Sequence, residues 1–399
     1  MKKLYQHQKT ALSSLKNGCI LVGGTGSGKT LVGLYYYYER ILGGSTDPLT
    51  APANAVDLFV LTTARKRDER DWQEEILRLG ISDKEGVGHP EIKFKVDSWN
   101  NIKKYLKVRN SFFIFDEQKS TGRGVWARSM VRIAKKNKWI MLSATPADRW
   151  TDLVPVFIAN GFYRSRREFE REHVVFQPYI KYPKILRYTN EAKLRRLRDH
   201  VYVVMPFEKK TNSIIEDVKV AHDQEAIDEV VKNQWNTFTE RPITNQAEHN
   251  FVVRRLVNQD PDRIKKLKKI YTKHKKIIVF YNFNFELEAI KKAFVGDVVA
   301  EYNGDKHQPV PEGDEWLYLV QYMSGNEAWE CFTTNRMVFY SLNYSYRIMI
   351  QAMGRINRLN TPYQDLYYYR FVSDSSVDRA ILKAFRKKKN FNDSALRFI

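Results

Sequence analysis

Cysteine is nearly absent from this chain: only Cys19 and Cys331 occur in 399 residues. Two such distant thiols make neither a disulfide framework nor a zinc-ligand spacing, and both are read as core or incidental. Long apolar runs are missing too. No stretch reaches the roughly 20 residues that a bilayer-spanning helix requires. Met1-Lys2-Lys3 is followed by polar Gln6, His7 and Gln8 in place of a signal-peptide core, so a soluble, cytoplasmic protein is expected. The chain has no low-complexity tract and no fixed-period repeat, which excludes disordered and solenoid designs. Acidic residues are in deficit, 46 Asp and Glu against 67 Lys and Arg, for a formal charge of +21. Such an excess favours a polyanionic partner through counterion release. It does not choose between DNA, RNA and an acidic membrane.

What is present points to an α/β chain of two or three domains, since its length exceeds one ordinary core. Up to about residue 160, short apolar runs alternate with helical patterns. The strand candidates are Cys19–Val22, Leu58–Leu61, Phe112–Phe115 and Trp139–Leu142. Residues 161–262 are charged, helix-rich and poor in β runs, and read as a helical connecting region. Alternation resumes over 263–399 with Ile277–Tyr281, Val298–Tyr302, Leu317–Tyr322, Met337–Tyr340 and Tyr367–Phe371. Parallel sheets flanked by helices are the expected architecture. Tyr35–Tyr38 and the lysines of Lys265–Lys276 read as helix packing and as a solvated helix face, respectively.

Gly23-Gly24-Thr25-Gly26-Ser27-Gly28-Lys29-Thr30 fits the phosphate-cradling pattern G-x-x-x-x-G-K-[ST] at every required position. An apolar strand candidate precedes it and a helical pattern follows. Glycine lets backbone N–H groups close on phosphates, and the helix N-terminus adds a favourable field. Lys29 would reach the β- and γ-phosphates and Thr30 would hold Mg²⁺. Downstream, Phe112–Phe115 delivers Asp116-Glu117 to a strand end, where one carboxylate can hold Mg²⁺ and the other can activate water. Trp139–Leu142 leads into Ser143-Ala144-Thr145-Pro146. Near the C-terminus, Gln351, Arg355 and Arg358 form Q-x-x-x-R-x-x-R. Two arginines three apart on a helix would share a face and suit phosphate oxygens.

In this order the segments resemble superfamily 2 helicases and translocases, closest to the Snf2-like branch. The resemblance implies two tandem RecA-like lobes, 1–160 for ATP binding and 263–399 as the helicase C-terminal lobe. Within Leu4-Tyr5-Gln6-His7-Gln8, Gln8 would face the adenine, with Gln6 as a competing candidate. Leu58–Thr63 with Arg65, Trp72 and Glu75 looks like the family's first nucleic-acid segment, and Val96–Trp99 like a second. Nucleic-acid contact or coupling would fall to Thr63, Arg65, Ser98, Ser143, Thr145, Tyr281, Asn282, Ser324 and Gly325. The acidic box reads Asp116-Glu117-Gln118-Lys119 and departs from the D-E-A-D of the large RNA helicase group. Ala328-Trp329-Glu330 stands where the branch carries Gly-Leu-Asn. The activity implied is a monomeric ATP- and Mg²⁺-dependent motor on duplex, forked or single-stranded DNA, of bacterial or phage type by analogy. A duplex translocase, an RNA helicase and an ATP-switched clamp remain alternatives.

Overall fold

Four consecutive apolar residues, Phe112 to Phe115, cannot be buried by covering one face of a sheet, because successive side chains point to opposite sides. The computed structural model, which describes residues 3–24, 26–46, 49–78, 92–117, 122–178, 184–205, 211–324, 329–358 and 361–396, covers both faces. Phe112 and Ile114 enter one core, and Phe113 and Phe115 the other.

The sheet they belong to contains β1 (Ile20–Val22), β2 (Leu58–Thr62), β3 (Phe94–Ser98), β4 (Phe112–Asp116), β5 (Lys138–Ser143) and β6 (Tyr202–Val204). Its spatial order is β6-β1-β5-β4-β2-β3, and every neighbouring pair is parallel. Helices α1 (Gln6–Ser14) and α2 (Lys29–Tyr36) cover one face with Leu12, Leu31 and Leu34; Tyr35–Tyr38 are buried there. Helix α3 (Val125–Ala134) covers the other with Met130 and Ile133.

The second sheet repeats the plan. It contains β7 (Asn212–Lys219), β8 (Lys276–Tyr281), β9 (Val299–Tyr302), β10 (Trp316–Gln321), β11 (Arg336–Phe339) and β12 (Asp365–Val372). The order is β7-β12-β11-β8-β10-β9, again parallel throughout. The helices of this unit include α4 (Gln224–Asn233), α5 (Gln246–Asn258), α6 (Pro261–His274), α7 (Asn284–Ala293) and α8 (Tyr346–Met353). Leu267 and Tyr271 of α6 and Ile290 of α7 fill one core; Met349 and Ala352 of α8 fill the opposite one. A smaller core joins α4 to α5 through Ile227, Val230, Val252 and Val257. The chain is thus α/β, with two six-stranded parallel sheets flanked by helices. Among the described residues no helix is long and apolar enough to cross a membrane.

The two sheets belong to two compact units that divide after Glu208. Residues 161–262, expected as one helical connector, are shared between them. Phe169, Leu194 and Val201 enter a core of the first unit, and Val220 enters a core of the second. The same stretch supplies β6 and β7, which its composition did not disclose.

Arg263 of α6 is fully buried. Its guanidinium donates to the carbonyls of Val257 and Tyr340 and pairs with Asp378 Oδ2 at 3.3 Å. Breaking a buried pair leaves a desolvated charge behind. Arg263→Met is therefore expected to destabilise the full chain by about 3–5 kcal/mol in urea denaturation; a loss below about 1 kcal/mol would show that Asp378 is compensated elsewhere.

Candidate functional site

Parallel pairing puts the carboxyl ends of all strands of a sheet on one edge. Across the first sheet the register matches Val22 with Ser143, Leu142 with Asp116, Phe115 with Leu61 and Thr62 with Ser98. The glycine-rich loop after β1, Ser143–Thr145 after β5, Asp116-Glu117 after β4, Thr63 after β2 and Ser98 on β3 therefore share that edge. Neighbouring ends are joined directly: Gly23 N–H donates to the Ser143 carbonyl at 3.2 Å.

The loop needs glycine for two separate reasons. Gly28 has φ +83°, and a Cβ there would lie 2.3 Å from Gln8 Nε2. At Gly23 a Cβ would meet Ser27 Oγ at 2.7 Å. Gly28 is also the N-cap of α2 and supplies no capping side chain, so the first-turn N–H groups suit an anion. Lys29 Nζ donates to the Gly23 and Gly24 carbonyls at 2.7 and 2.8 Å. Ser27 is buried and donates to Gly24 O at 2.8 Å. Gly26 is exposed and Thr30 half-buried in the first turn of α2; Thr25 lies outside the described residues. Gln8 is 3% exposed. Its Nε2 donates to Ser27 O at 3.1 Å and its Oε1 accepts from Tyr5 N–H at 2.9 Å. As placed, the amide expected at a base clamps the loop instead, while Gln6 is exposed.

Asp116 is 3% exposed, and three donors converge on its Oδ2: Thr62 Oγ1 at 2.9 Å, Lys66 Nζ at 3.1 Å and Trp72 Nε1 at 3.2 Å. Among the described residues Oδ1 receives none. Trp99 Nε1 fixes the Asp116 carbonyl at 2.9 Å. Glu117 holds φ +54°, a conformation that costs a non-glycine residue energy and clusters at functional sites. Its Oε1 accepts from Lys66 at 3.3 Å. Burial alone would lower the Lys66 ammonium, but Asp116 and Glu117 outweigh it by charge and hydrogen bonding and hold it raised. Thr62 and Lys66 escape a sequence reading because their partner lies far along the chain. Trp72, grouped with the nucleic-acid segment by resemblance, is buried on Asp116.

The other first-unit candidates mostly cap backbone. Thr63 Oγ1 accepts from Lys66 N–H at 3.4 Å, Ser98 Oγ from Asn100 N–H at 3.2 Å and Ser143 Oγ from Thr145 N–H at 3.2 Å. All four of these threonines and serines are buried. Arg65 pairs with Glu69 at 2.5 Å. Beside Ser98, Asp97 accepts from Asn101, Tyr105 and the Ser98 N–H, each at 2.7 Å. Burial alone would raise its carboxyl, but these donors and the charge of Lys104 outweigh it and hold it below the usual range.

In the second unit the expected shared helix face of Arg355 and Arg358 is not formed. Helix α8 ends at Met353 with Gly354 as C-cap, and Arg355 N–H turns to Ala352 O at 3.0 Å. Arg355 is buried, and its Nη1 donates to Trp329 O at 3.2 Å. Arg358 Nε pairs with Glu330 Oε1 at 3.1 Å. Both arginines are thus held by the segment where the sequence departs from the family pattern. Gln351 is buried on α8. Tyr281 is fully buried at the end of β8. Asn282 Nδ2 donates to Ser341 Oγ at 2.8 Å and Leu342 O at 3.1 Å. Glu286, fully buried and unforeseen, accepts from Asn282 N–H, Ser341 Oγ and Asn258 Nδ2 at 2.8–2.9 Å; burial raises its carboxyl. Ser324 N–H donates to Gln321 O at 3.1 Å in a turn, and Gly325 lies outside the described residues. No group of three or more His, Cys, Asp or Glu gathers as a metal site among the described residues.

Thr62→Val keeps the shape and removes one donor from a buried carboxylate, so it should cost about 1.5–3 kcal/mol in urea denaturation. A neutral result would mean that water replaces the hydroxyl. Asp97 predicts a pH dependence. Its folded carboxyl titrates below the unfolded one, so its stabilisation is complete above the unfolded value of about 3.9 and is lost as pH falls through the folded value. The stability gap between the wild type and Asp97→Asn should close below about pH 4; a gap that widens on acidification would contradict the assignment.

Compared with known proteins, the chain matches no protein-family model and no curated protein.

Proposed function

We propose that the chain is an ATP-dependent nucleic-acid motor, a DNA helicase or translocase of the superfamily 2 kind with two RecA-like lobes. The observation that carries this reading is the strand order β1-β5-β4. It sets Ser143–Thr145 between an uncapped, glycine-led helix N-terminus and a buried Asp116 followed by a strained Glu117. A passive phosphate binder needs the first of these features and not the others.

In this reading Gly23–Thr30 hold the triphosphate by backbone N–H groups, and Lys29 exchanges its two loop carbonyls for phosphate oxygens. Thr30 and Asp116 would hold Mg²⁺, which would supply positive charge against the negative charge that develops on the phosphates. Glu117 orients and deprotonates the attacking water. Lys66 balances the charge of the acidic pair. Arg355 and Arg358 serve the γ-phosphate once they leave Trp329 and Glu330. Ser143, bonded through its carbonyl to the loop, links nucleotide state to the strand ends. The charge of +21 supports a polyanionic track, and the Asp-Glu-Gln-Lys box favours DNA over RNA.

ATP turnover with single-stranded, duplex, forked and RNA cofactors tests the proposal. Stimulation by DNA is expected, with Lys29→Ala abolishing it and Arg358→Ala lowering kcat by 10³–10⁵ while ATP binding is kept. Turnover indifferent to every nucleic acid would sink the motor, and equal losses of binding and turnover in Arg358→Ala would remove its catalytic role. Fork unwinding without triplex displacement would identify a helicase, and the reverse a translocase.

A further inference from the structure

The second unit presents aromatic rings to solvent beside arginines that form no ion pair among the described residues. Phe251 on α5 is 41% exposed and Tyr344 is 45% exposed. Phe283 and Phe285 stack with centroids 5.3 Å apart at 11°, and Phe251 stands edge-on to both at 5.3 and 6.2 Å. The Arg254 guanidinium lies 4.7 Å from the Phe283 ring and 5.1 Å from the Tyr344 ring, anchored to Leu342 O at 2.8 Å. Arg255 lies 4.0 Å over Phe238 and 5.4 Å from Phe285, and its Nε has no hydrogen-bond partner among the described residues. Among the described residues neither arginine forms an ion pair. The acids nearby are committed elsewhere: Glu286 to Asn258, Asn282, Phe283 and Ser341, and Glu248 to Asn236, Thr244 and Arg241.

The position of these rings is as telling as their chemistry. Phe283 follows the end of β8 and Tyr344 follows Leu342 beyond the end of β11, so the patch sits at the carboxyl edge of the second sheet, where ligands of such sheets bind. Contacts to a duplex backbone call for cations and hydroxyls. Exposed phenyl and phenol rings near guanidinium groups that lie over aromatic faces suit flat, unpaired bases carried on a charged backbone, because every base offers a π face.

We infer that Phe251, Arg254, Arg255, Phe283 and Tyr344 form a stacking platform for the unpaired bases of a single strand. The inference rests on the proposed motor function and narrows its substrate to nucleic acid with exposed bases. The platform explains why the rings stay at the surface when the cores beneath accept aromatic residues freely.

The test is equilibrium binding by the full chain without ATP, read by fluorescence anisotropy. The probes are oligo-dT, oligo-rU, an abasic DNA strand of equal length and a blunt duplex. Tighter binding of oligo-dT or oligo-rU than of the abasic strand is expected, the pair showing whether the sugar matters. Phe251→Leu and Tyr344→Leu keep apolar bulk without a π face and are exposed enough to fold. Each should weaken oligo-dT binding on the order of tenfold and leave the abasic strand and the duplex unchanged. Equal affinity for oligo-dT and the abasic strand, or equal losses on all probes, would overturn the platform. The motor reading fails separately: ring-sensitive binding with no stimulated ATP turnover removes the motor and keeps the platform. Stimulated turnover without base preference does the opposite.

Discussion

A parallel strand cannot return to its neighbour through a tight turn; it must cross over through another element, commonly a helix, on one face of the sheet. Both sheets obey this at every pairing. Each is therefore covered on two sides, and its central strands must be apolar throughout. The same rule gathers all carboxyl ends on one edge. A glycine-rich loop, an acidic pair and a hydroxyl segment from distant stretches of the first unit thus become neighbours.

Electrostatics then refines what topology has assembled. Asp116 is a buried charge, tolerable because donors from Thr62, Lys66 and Trp72 converge on one oxygen. Lys66 gains its charged form from the two acids that it neutralises. Glu117 accepts backbone strain for a position just outside the strand. In the second unit Glu286 does comparable work for neutral donors, tying the ends of β8 and β11 to α5.

The central strands were legible because burial on both faces writes itself as an uninterrupted apolar run. Three of the four edge strands were not, β9 being the exception. All but one residue of Asn212–Lys219 is exposed, yet the strand pairs along its full length with Asp365–Val372; β3 and β6 are likewise edge strands with incomplete burial. The glycine loop was readable from spacing because its constraints are local. Thr62, Lys66 and Trp72 were not, since each meets Asp116 across more than forty positions of chain. Arg355 and Arg358 were misplaced by periodicity: three-residue spacing predicts a shared face only while the helix continues, and α8 stops at Met353. Gln6 and Gln8 are equivalent in pattern and are separated by burial alone.

The tight clearance between Gly28 and Gln8 couples the glycine-rich loop to the helix before it. Gln8 keeps its carboxamide in place only while position 28 carries no side chain. A change at either residue is therefore transmitted to the other, and through Tyr5 to the start of α1. Shortening Gln8 would make room for a side chain at position 28, yet the positive φ there would still ask for glycine.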